Sequence, residues 1–166
     1  HKGRAYLVLE FLDGKDLKAE IYNRKPMSLE QKLRIMIEVC EGLAHAHKSG
    51  IIHRDVKPGN IFITRSWEVK ILDFGLARIV SSELTKTNHS MGTPAYMSPE
   101  QFRGRYADAR SDQFSFCVAL YEALYDARPF GGRSFAELAE HVVGGRLIEP
   151  PESDTIPSWL RAALKR

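Results

Sequence analysis

The alternation of apolar and polar residues divides the chain into several helices and a few short strands. Residues 5–9, AYLVL, are a continuous apolar run bounded by charge, which predicts a buried strand. The following EFLDGKDL predicts a turn with Gly14 at its bend. Two short β-branched runs, NIFIT and EVKIL, predict a small hairpin or a pair of neighbouring strands.

A long amphipathic helix is predicted between Ser28 and Gly50. Ser28 and Gln31 have the spacing of a capping box, and Gly50 is a typical residue to end a helix. The predicted apolar face consists of Leu29, Leu33, Met36, Ile37, Cys40 and Leu43.

The second half of the chain predicts a long loop and three further helices. Residues 76–100 are rich in Ser, Thr, Asn, Gly and Pro without periodicity, which indicates a functional loop. Residues 111–125 are apolar on most sides and predict a buried helix. RSFAELAEHVVGG predicts an amphipathic helix, and PSWLRAALKR predicts another with Pro157 near its first turn.

Composition narrows the class of protein. The chain has 166 residues, of which 43% are hydrophobic and 27% charged, as in a soluble domain with its own core. A net charge of +3 without a dense basic stripe disfavours nucleic acid as a partner. Cys40 and Cys117 both lie in apolar segments, so buried free thiols are expected rather than a disulfide. The sequence shows neither a membrane-spanning apolar run nor a signal peptide, and a start without Met suggests a cut chain.

Three motifs carry the candidate chemistry. IIHRDVKPGN, residues 51–60, is followed by DFG at 73–75 and SPE at 98–100. A surface turn with Asp and Asn as turn formers would explain any one of them alone. Together and in this order they resemble the protein-kinase signature H-R-D-x-x-x-x-N, D-F-G and A-P-E. The resemblance covers essentially the whole chain.

The resemblance implies an α+β fold. We expect the mainly helical C-terminal lobe of a protein kinase with short β-strands, and an N-terminal lobe that is almost wholly absent. Residues 1–13 would be the last N-lobe strand and the hinge. Residues 14–166 would be a partial C-lobe without its final helices.

The resemblance also implies roles in phosphoryl transfer, which depends on positioning and charge neutralisation. Asp55 would accept or orient the proton of the substrate hydroxyl, and Lys57 would offset negative charge on the transferred phosphate. Asn60 and Asp73 would supply oxygen ligands for Mg²⁺, with Mn²⁺ as an alternative ion. The implied nucleotide is ATP, which Lys57, Asn60 and Asp73 would contact.

The motifs resemble the Ser/Thr-directed branch of the family. Lys57 within DVKPGN is typical of that branch, and GTPAYMSPE agrees with it. Thr93 matches the position whose hydroxyl bridges the catalytic Asp and Lys; a turn threonine before Pro94 is the structural alternative. The implied partners are protein substrates with Ser or Thr, and the sequence has a bacterial character.

Residues 10–16 resemble the kinase hinge and the ribose contact that follows it. Glu10 and Leu12 would hydrogen-bond adenine through their backbones, and Asp16 would hold the ribose. Phe62 would form the floor of the adenine site, and Leu9 would be the gatekeeper. Core packing for Leu9 and Phe62, and helix capping for Asp16, are the structural alternatives.

Arg54 and several hydroxyl residues resemble regulatory positions of the family. Arg54 precedes the catalytic Asp, as in kinases activated by phosphorylation of the activation loop. Among the hydroxyl residues of that loop (Ser81, Ser82, Thr85, Thr87 and Ser90), we favour Thr85 and Thr87 as phosphorylation sites.

Four further residues match architectural positions. His53 and Phe74 match the regulatory spine. Asp112 matches the buried Asp that holds the catalytic loop. Glu100 matches a residue that normally pairs with a downstream Arg.

A Gly-rich loop, a strand-borne Lys and a helix-borne Glu precede the hinge in the family. This sequence contains none of them, since Lys70 lies too close to Asp73 to be that lysine. We therefore expect a fragment of an active Ser/Thr kinase that transfers phosphate poorly by itself. The alternative is a non-catalytic kinase-like module that binds partners through a groove around residues 128–148. We expect a cytoplasmic location, with any membrane anchor outside this chain.

Overall fold

The computed structural model describes residues 8–23, 27–74, 94–151 and 153–165. Within these ranges a three-stranded antiparallel sheet has the order β1-β2-β3. Its strands are β1 (Gly14–Asp16), β2 (Ile61–Thr64) and β3 (Val69–Ile71). The hairpin of β2 and β3 is confirmed, with Ile61 paired to Ile71 and Ile63 to Val69.

Gly14 lies within strand β1 and does not form the bend that the sequence predicted. It pairs with Thr64 of β2, and the two backbones approach very closely there. A Cβ atom at Gly14 would lie 2.1 Å from the carbonyl oxygen of Ile63 and 2.8 Å from the Cα of Thr64. The glycine is thus required by close backbone contact between two strands.

The predicted strand over residues 5–9 is wrong for the part that the structure describes. Val8 and Leu9 lie outside any strand and are 82% and 68% exposed, and Phe11 is 91% exposed. A strand needs a hydrogen-bonding neighbour, and the described residues pair only β1 with β2 and β2 with β3. Residues 5–7 lie outside the described ranges.

Helix α2 (Leu29–Lys48) is confirmed. Ser28 caps it, because its hydroxyl accepts from Gln31 N at 3.2 Å while Gln31 Oε1 accepts from Ser28 N at 2.9 Å. After Ser49, Gly50 adopts a φ of 72°, the left-handed conformation that ends many helices.

The predicted apolar face of α2 is partly wrong. The residues of α2 that are buried are Ile35, Met36, Val39, Leu43 and Ala46. Ile37 is 59% exposed, and Cys40 is exposed rather than buried. Cys117 is only partly buried. The face of α2 that is buried is therefore shifted by about one residue from the predicted face. The reason is that packing against other elements decides which of two overlapping apolar stripes is buried.

Helix α4 (Ala109–Tyr125) lies at the centre of the molecule and begins two residues before the predicted start. Asp108 caps it through Arg110 N at 2.8 Å. Its second half is almost wholly buried and packs with α2 and the sheet into the main core. The largest fully buried apolar side chains of the molecule include Leu17, Val39, Val56 and Ile61.

The remaining helices are short and surround this centre. They are α1 (Leu17–Ile21), α3 (Pro99–Phe102), α5 (Phe135–Val143) and α6 (Ser158–Leu164). Pro157 is the N-cap of α6. The expected loop over residues 76–100 is wrong at its end, since residues Pro94–Tyr96 form a 3₁₀ turn and α3 begins at Pro99. Residues 75–93 lie outside the described ranges.

The α+β fold class is confirmed: helices surround a small antiparallel sheet. Among the described residues, none of the helices combines the length and the apolar character that crossing a membrane requires.

Replacement of Gly14 by Ala should destabilise this fold. The added methyl group would force β1 away from β2, and overpacking of this kind costs about 1–3 kcal/mol. Urea unfolding followed by circular dichroism measures the change. Gly59→Ala is the matched control, because a Cβ atom there meets no atom within 4 Å. Equal stability of the two variants would contradict the close approach.

Candidate active site

The segment 51–60 brings two polar side chains together around the carboxylate of Asp55. Lys57 Nζ lies 2.5 Å from Asp55 Oδ2. Asn60 Nδ2 donates to the same oxygen at 3.0 Å and to the backbone carbonyl of Asp55 at 2.8 Å. The Asp55 and Lys57 side chains are 32% and 21% exposed, so the pair faces solvent at the edge of a largely buried loop.

Helix α4 holds the backbone of this loop through Asp112, whose side chain is fully buried. Asp112 Oδ2 accepts from His53 N at 2.8 Å, and Asp112 Oδ1 accepts from Arg54 N at 2.7 Å. His47 Nε2 of α2 lies 2.8 Å from the same Oδ2. A buried carboxylate is stable only when its oxygens are bonded in this way. The predicted contact of Asp112 with the loop backbone is confirmed.

Two hydrogen bonds to the backbone of Leu72, one with a backbone carbonyl and one with a side chain, join the end of β3 to the same loop. Leu72 N donates to the carbonyl of Asn60 at 2.8 Å, and His53 Nε2 lies 2.8 Å from the carbonyl of Leu72. Asp73 follows directly with a φ of 61°, a left-handed conformation that is costly for a residue with a Cβ. The bonds on Leu72 place the residue that precedes Asp73 directly against the loop.

The rings of His53 and Phe74 are in contact, as the family resemblance implied. Their centroids are 4.6 Å apart with an angle of 57° between the rings, so they are tilted and not stacked. His53 is completely buried, whereas Phe74 is 37% exposed.

The oxygen atoms of Asn60 and Asp73 are suited to a divalent cation. Both side-chain hydrogen bonds of Asn60 are donated by its nitrogen. In the part of the chain that the structure describes, its side-chain oxygen accepts no hydrogen bond, and Asp73 is exposed. An amide oxygen and a carboxylate are ligands that Mg²⁺ prefers, so the donor set fits the ion that the sequence implies.

Asp16 and Phe62 are brought together by strand pairing, because they are partners in the β1–β2 register. Paired residues of antiparallel strands lie on the same face of a sheet. Asp16 is also the N-cap of α1, and its Oδ1 accepts from Ala19 N at 2.7 Å. Glu10 is exposed and Leu12 half-buried, and both lie in the segment before β1, which has no regular secondary structure.

Several candidates cannot be located relative to this site. Thr93, Thr85 and Thr87 lie outside the described residues. Arg54 lies within the loop, with a φ of 70°, directly before Asp55.

Glu100 contacts Ser111 of α4, whose hydroxyl donates to the Glu100 carboxylate. Burial raises the pKa of Glu100, but hydrogen bonds from Ser111, its own backbone and Ser98 outweigh burial and leave the pKa below its usual value. The bond joins the start of α3 to the start of α4.

A buried carboxylate that the sequence analysis missed lies further along α4. Glu122 is 1% exposed and accepts hydrogen bonds from the hydroxyls of Tyr96 and Tyr22, the latter at 2.7 Å. Arg128 Nε lies 3.7 Å from it. Burial, followed by the bond to Glu122, raises the pKa of Tyr96. The separate bond from Tyr22 to Glu122 is the main cause of a raised pKa at Tyr22. This cluster joins the turn before α3 to the end of α1.

Sequence reasoning also missed His47 and Gln101. Gln101 has the spacing of a capping box with Ser98, which the sequence displays, but its bond to Arg54 crosses 47 positions of the chain. His47 meets Asp112 across 65 positions. Local spacing carries no signal for such pairs.

Comparison with known proteins agrees with this geometry. Residues 1–162 match the family model described as the protein kinase domain. The chain is similar to the serine/threonine-protein kinase PknB of Mycobacterium leprae, with 44% identity over 140 residues, covering 82% of this chain and 22% of the relative. A probable serine/threonine-protein kinase of Clostridium perfringens is 41% identical over 157 residues, covering 93% and 23%. The chain thus spans about a fifth of the length of the curated relatives it matches.

The lowered pKa of Glu100 predicts a pH-dependent contribution to stability. The ionised carboxylate should stabilise the fold fully above the ordinary value of 4.5, and this contribution should be lost as the pH falls through the lower folded value. The difference in unfolding free energy between the native chain and Glu100→Gln should therefore narrow below that pH. Chemical unfolding at pH 3 to 8 measures it.

Ser111→Ala provides the control, because it removes the main donor to Glu100. In that background the pH-dependent part of the Glu100→Gln effect should shrink. A difference that stays constant from pH 8 to pH 3 would contradict the assignment.

Proposed function

We propose, on the premise that this chain belongs to the protein kinase family, that it carries the phosphoryl-transfer loop of a serine/threonine protein kinase. The reaction moves the γ-phosphate of ATP to Ser or Thr hydroxyls of protein substrates. The observation that supports this best is the shared carboxylate of Asp55, which both Lys57 and Asn60 contact. Such a group suits proton transfer beside a concentrated negative charge.

Asp55 is the proposed acceptor for the proton of the substrate hydroxyl. The hydroxyl oxygen forms a bond to the γ-phosphorus, the bond from that phosphorus to the bridging oxygen of ADP breaks, and the proton passes to Asp55. Lys57 and Asn60 both bond to Oδ2, which leaves Oδ1 as the oxygen that would face the substrate. Lys57 also offsets charge on the moving phosphoryl group.

Asn60 and Asp73 are the proposed ligands for Mg²⁺, with Mn²⁺ as a substitute. The ion, when bound, neutralises charge on the phosphates of ATP. The chain's own contribution is to keep the Asn60 amide turned, through its two bonds to Asp55, so that its oxygen is available.

Nucleotide binding is proposed for the segment before β1 and for the sheet. Glu10 and Leu12 would bond adenine through their backbones, with Leu9 as the gatekeeper and Phe62 beneath the ring. Asp16 would bond the ribose. Its capping bond uses Oδ1, which suits a ribose contact through Oδ2. The pairing of Asp16 with Phe62 supports a common surface for both parts of the nucleoside.

The domain division follows from these roles. Residues 1–13 are proposed as the end of the N-lobe and the hinge, without a strand at Val8 and Leu9, and residues 14–166 as a partial C-lobe. The exposed Val8, Leu9 and Phe11 support this division, since apolar side chains at a hinge normally contact nucleotide or the other lobe. Without a Gly-rich loop and a strand-borne Lys, the 166 residues alone are proposed to transfer phosphate poorly.

A second candidate is a non-catalytic module that binds partners around residues 128–148. The observation in its favour is exposed apolar surface there: Phe135 is 47% and Ile148 49% exposed. The intact set of Asp55, Lys57, Asn60 and Asp73 favours the enzyme.

We expect Asp55→Asn to abolish phosphorylation of a generic protein substrate in the product of the complete gene that encodes this chain. Loss of the proton acceptor should lower kcat by about a hundredfold or more, with little change in the KM for ATP. Transfer of radiolabelled phosphate from Mg-ATP measures it. Asp126→Asn, at an exposed position after α4, is the control.

The 166-residue chain alone, assayed in parallel, should show little transfer. Strong activity of the short chain would overturn the fragment proposal only. Equal activity of Asp55→Asn and the native protein would overturn the catalytic role, and an inactive native protein would favour the binding module.

We also propose that Thr85 and Thr87 are phosphorylated and that Arg54 binds the added phosphate. Mass spectrometry of the gene product after incubation with Mg-ATP should find phosphate on one or both residues. The double replacement by Ala should lower kcat, because a phosphate near Arg54 gains charge-assisted hydrogen bonds. Ser81→Ala with Ser82→Ala is the control. Full activity of the Thr85 and Thr87 variant would contradict the proposal.

A further inference from the structure

Gln101 makes a contact that neither the motifs nor the proposed reaction explains. It is the third residue of α3, where its side-chain oxygen accepts from Ser98 N at 2.9 Å and from the Ser98 hydroxyl at 3.0 Å. Its side-chain nitrogen donates to the backbone carbonyl of Arg54 at 3.0 Å. The side-chain amide of Gln101 therefore caps the start of α3 and also bonds to the loop that carries Asp55.

The carbonyl of Arg54 belongs to the peptide group that leads into Asp55. Arg54 has a φ of 70°, and such a conformation costs about 1–2 kcal/mol for a residue with a Cβ. It persists only where neighbouring groups hold it. Asp112 fixes the peptide before Arg54 through its N–H, and Gln101 fixes the peptide after it through its C=O.

We propose that Gln101 is a positioning residue for the reaction: its amide sets the peptide plane before Asp55 and couples the carboxylate to the segment Pro94–Phe102. This inference rests on the proposed function for its catalytic consequence, although the contact itself does not. The amide oxygen of Gln101 accepts bonds at the start of α3, whereas its amide nitrogen donates to the loop. The position of α3 thereby determines the orientation of the peptide group that precedes Asp55.

The position of Ser98 supports this coupling. Ser98 is completely buried and lies at the junction of the 3₁₀ turn and α3. Tyr96, within the same turn, bonds to the buried Glu122 of α4, and Ser115 Oγ of α4 donates to the Tyr96 carbonyl at 2.7 Å. The segment before Gln101 is therefore anchored to the central helix, so Gln101 reaches the loop from a fixed base.

Gln101→Glu separates the two bonds. A Glu at this position retains an oxygen acceptor for Ser98, as Glu and Gln are equivalent in capping boxes. It loses the donor to Arg54 and turns a carboxylate toward a carbonyl oxygen. Gln31→Glu is the matched control, since Gln31 caps α2 through the same bond at 2.9 Å. Within the described part of the chain, the Gln31 nitrogen donates to no acceptor.

Both variants are made in the product of the complete gene. Gln101→Glu should lower kcat by about tenfold or more, while the KM for ATP and the melting temperature stay close to native values. Hydrogen exchange measured by mass spectrometry should become faster in peptides covering residues 51–60. Gln31→Glu should change neither kcat nor the hydrogen exchange of residues 51–60.

Unchanged kcat and unchanged exchange in Gln101→Glu would overturn the proposal. Equal losses in both glutamate variants would also overturn it, because a capping effect would then suffice. Lower kcat without faster exchange would overturn the positioning role. If the native protein transfers no phosphate, the proposed function fails, and hydrogen exchange alone decides whether Gln101 holds the loop.

Discussion

A fully buried carboxylate, that of Asp112, holds the backbone on which the candidate site is built. Its two oxygens bond the amides of His53 and Arg54, and His47 lies against one of them. The loop could not otherwise keep Arg54 in a left-handed conformation, because no glycine relieves the strain there. An unpaired carboxylate in this position would be strongly destabilising, so the loop and helix α4 stabilise each other.

A strained backbone held by hydrogen bonds also occurs after β3. Asp73 also has a positive φ, and the residue before it is held on both sides by Asn60 and His53. Backbone strain thus lies at Arg54, directly before Asp55, and at Asp73 itself, while the bonds that hold the strained backbone come from buried groups. Such an arrangement keeps side chains in fixed orientations before any ligand binds, which is what phosphoryl transfer requires of a protein.

A second buried carboxylate, Glu122, extends this organisation along α4. It joins Tyr22, at the end of α1, with Tyr96, in the segment that precedes α3. Asp112 and Glu122 therefore connect four parts of the chain to one central helix: α2, the loop that carries Asp55, the end of α1 and the turn before α3. The functional proposal rests on membership of the protein kinase family and on the contacts of Asp55 in the loop that this helix holds.

Much of the fold and the central group of the site were predictable from local sequence. The cap at Ser28, the hairpin after Asn60 and the spacing of Asp55, Lys57 and Asn60 depend on residues within a few positions of one another. Tertiary structure alone decided the rest: that Gly14 is needed by a neighbouring strand, that Cys40 faces outward, and that Gln101 reaches Arg54. Local patterns record the propensity of a segment and the face it can bury. Which of several apolar stripes is buried, and which distant carbonyl meets an amide, depends on how the elements pack.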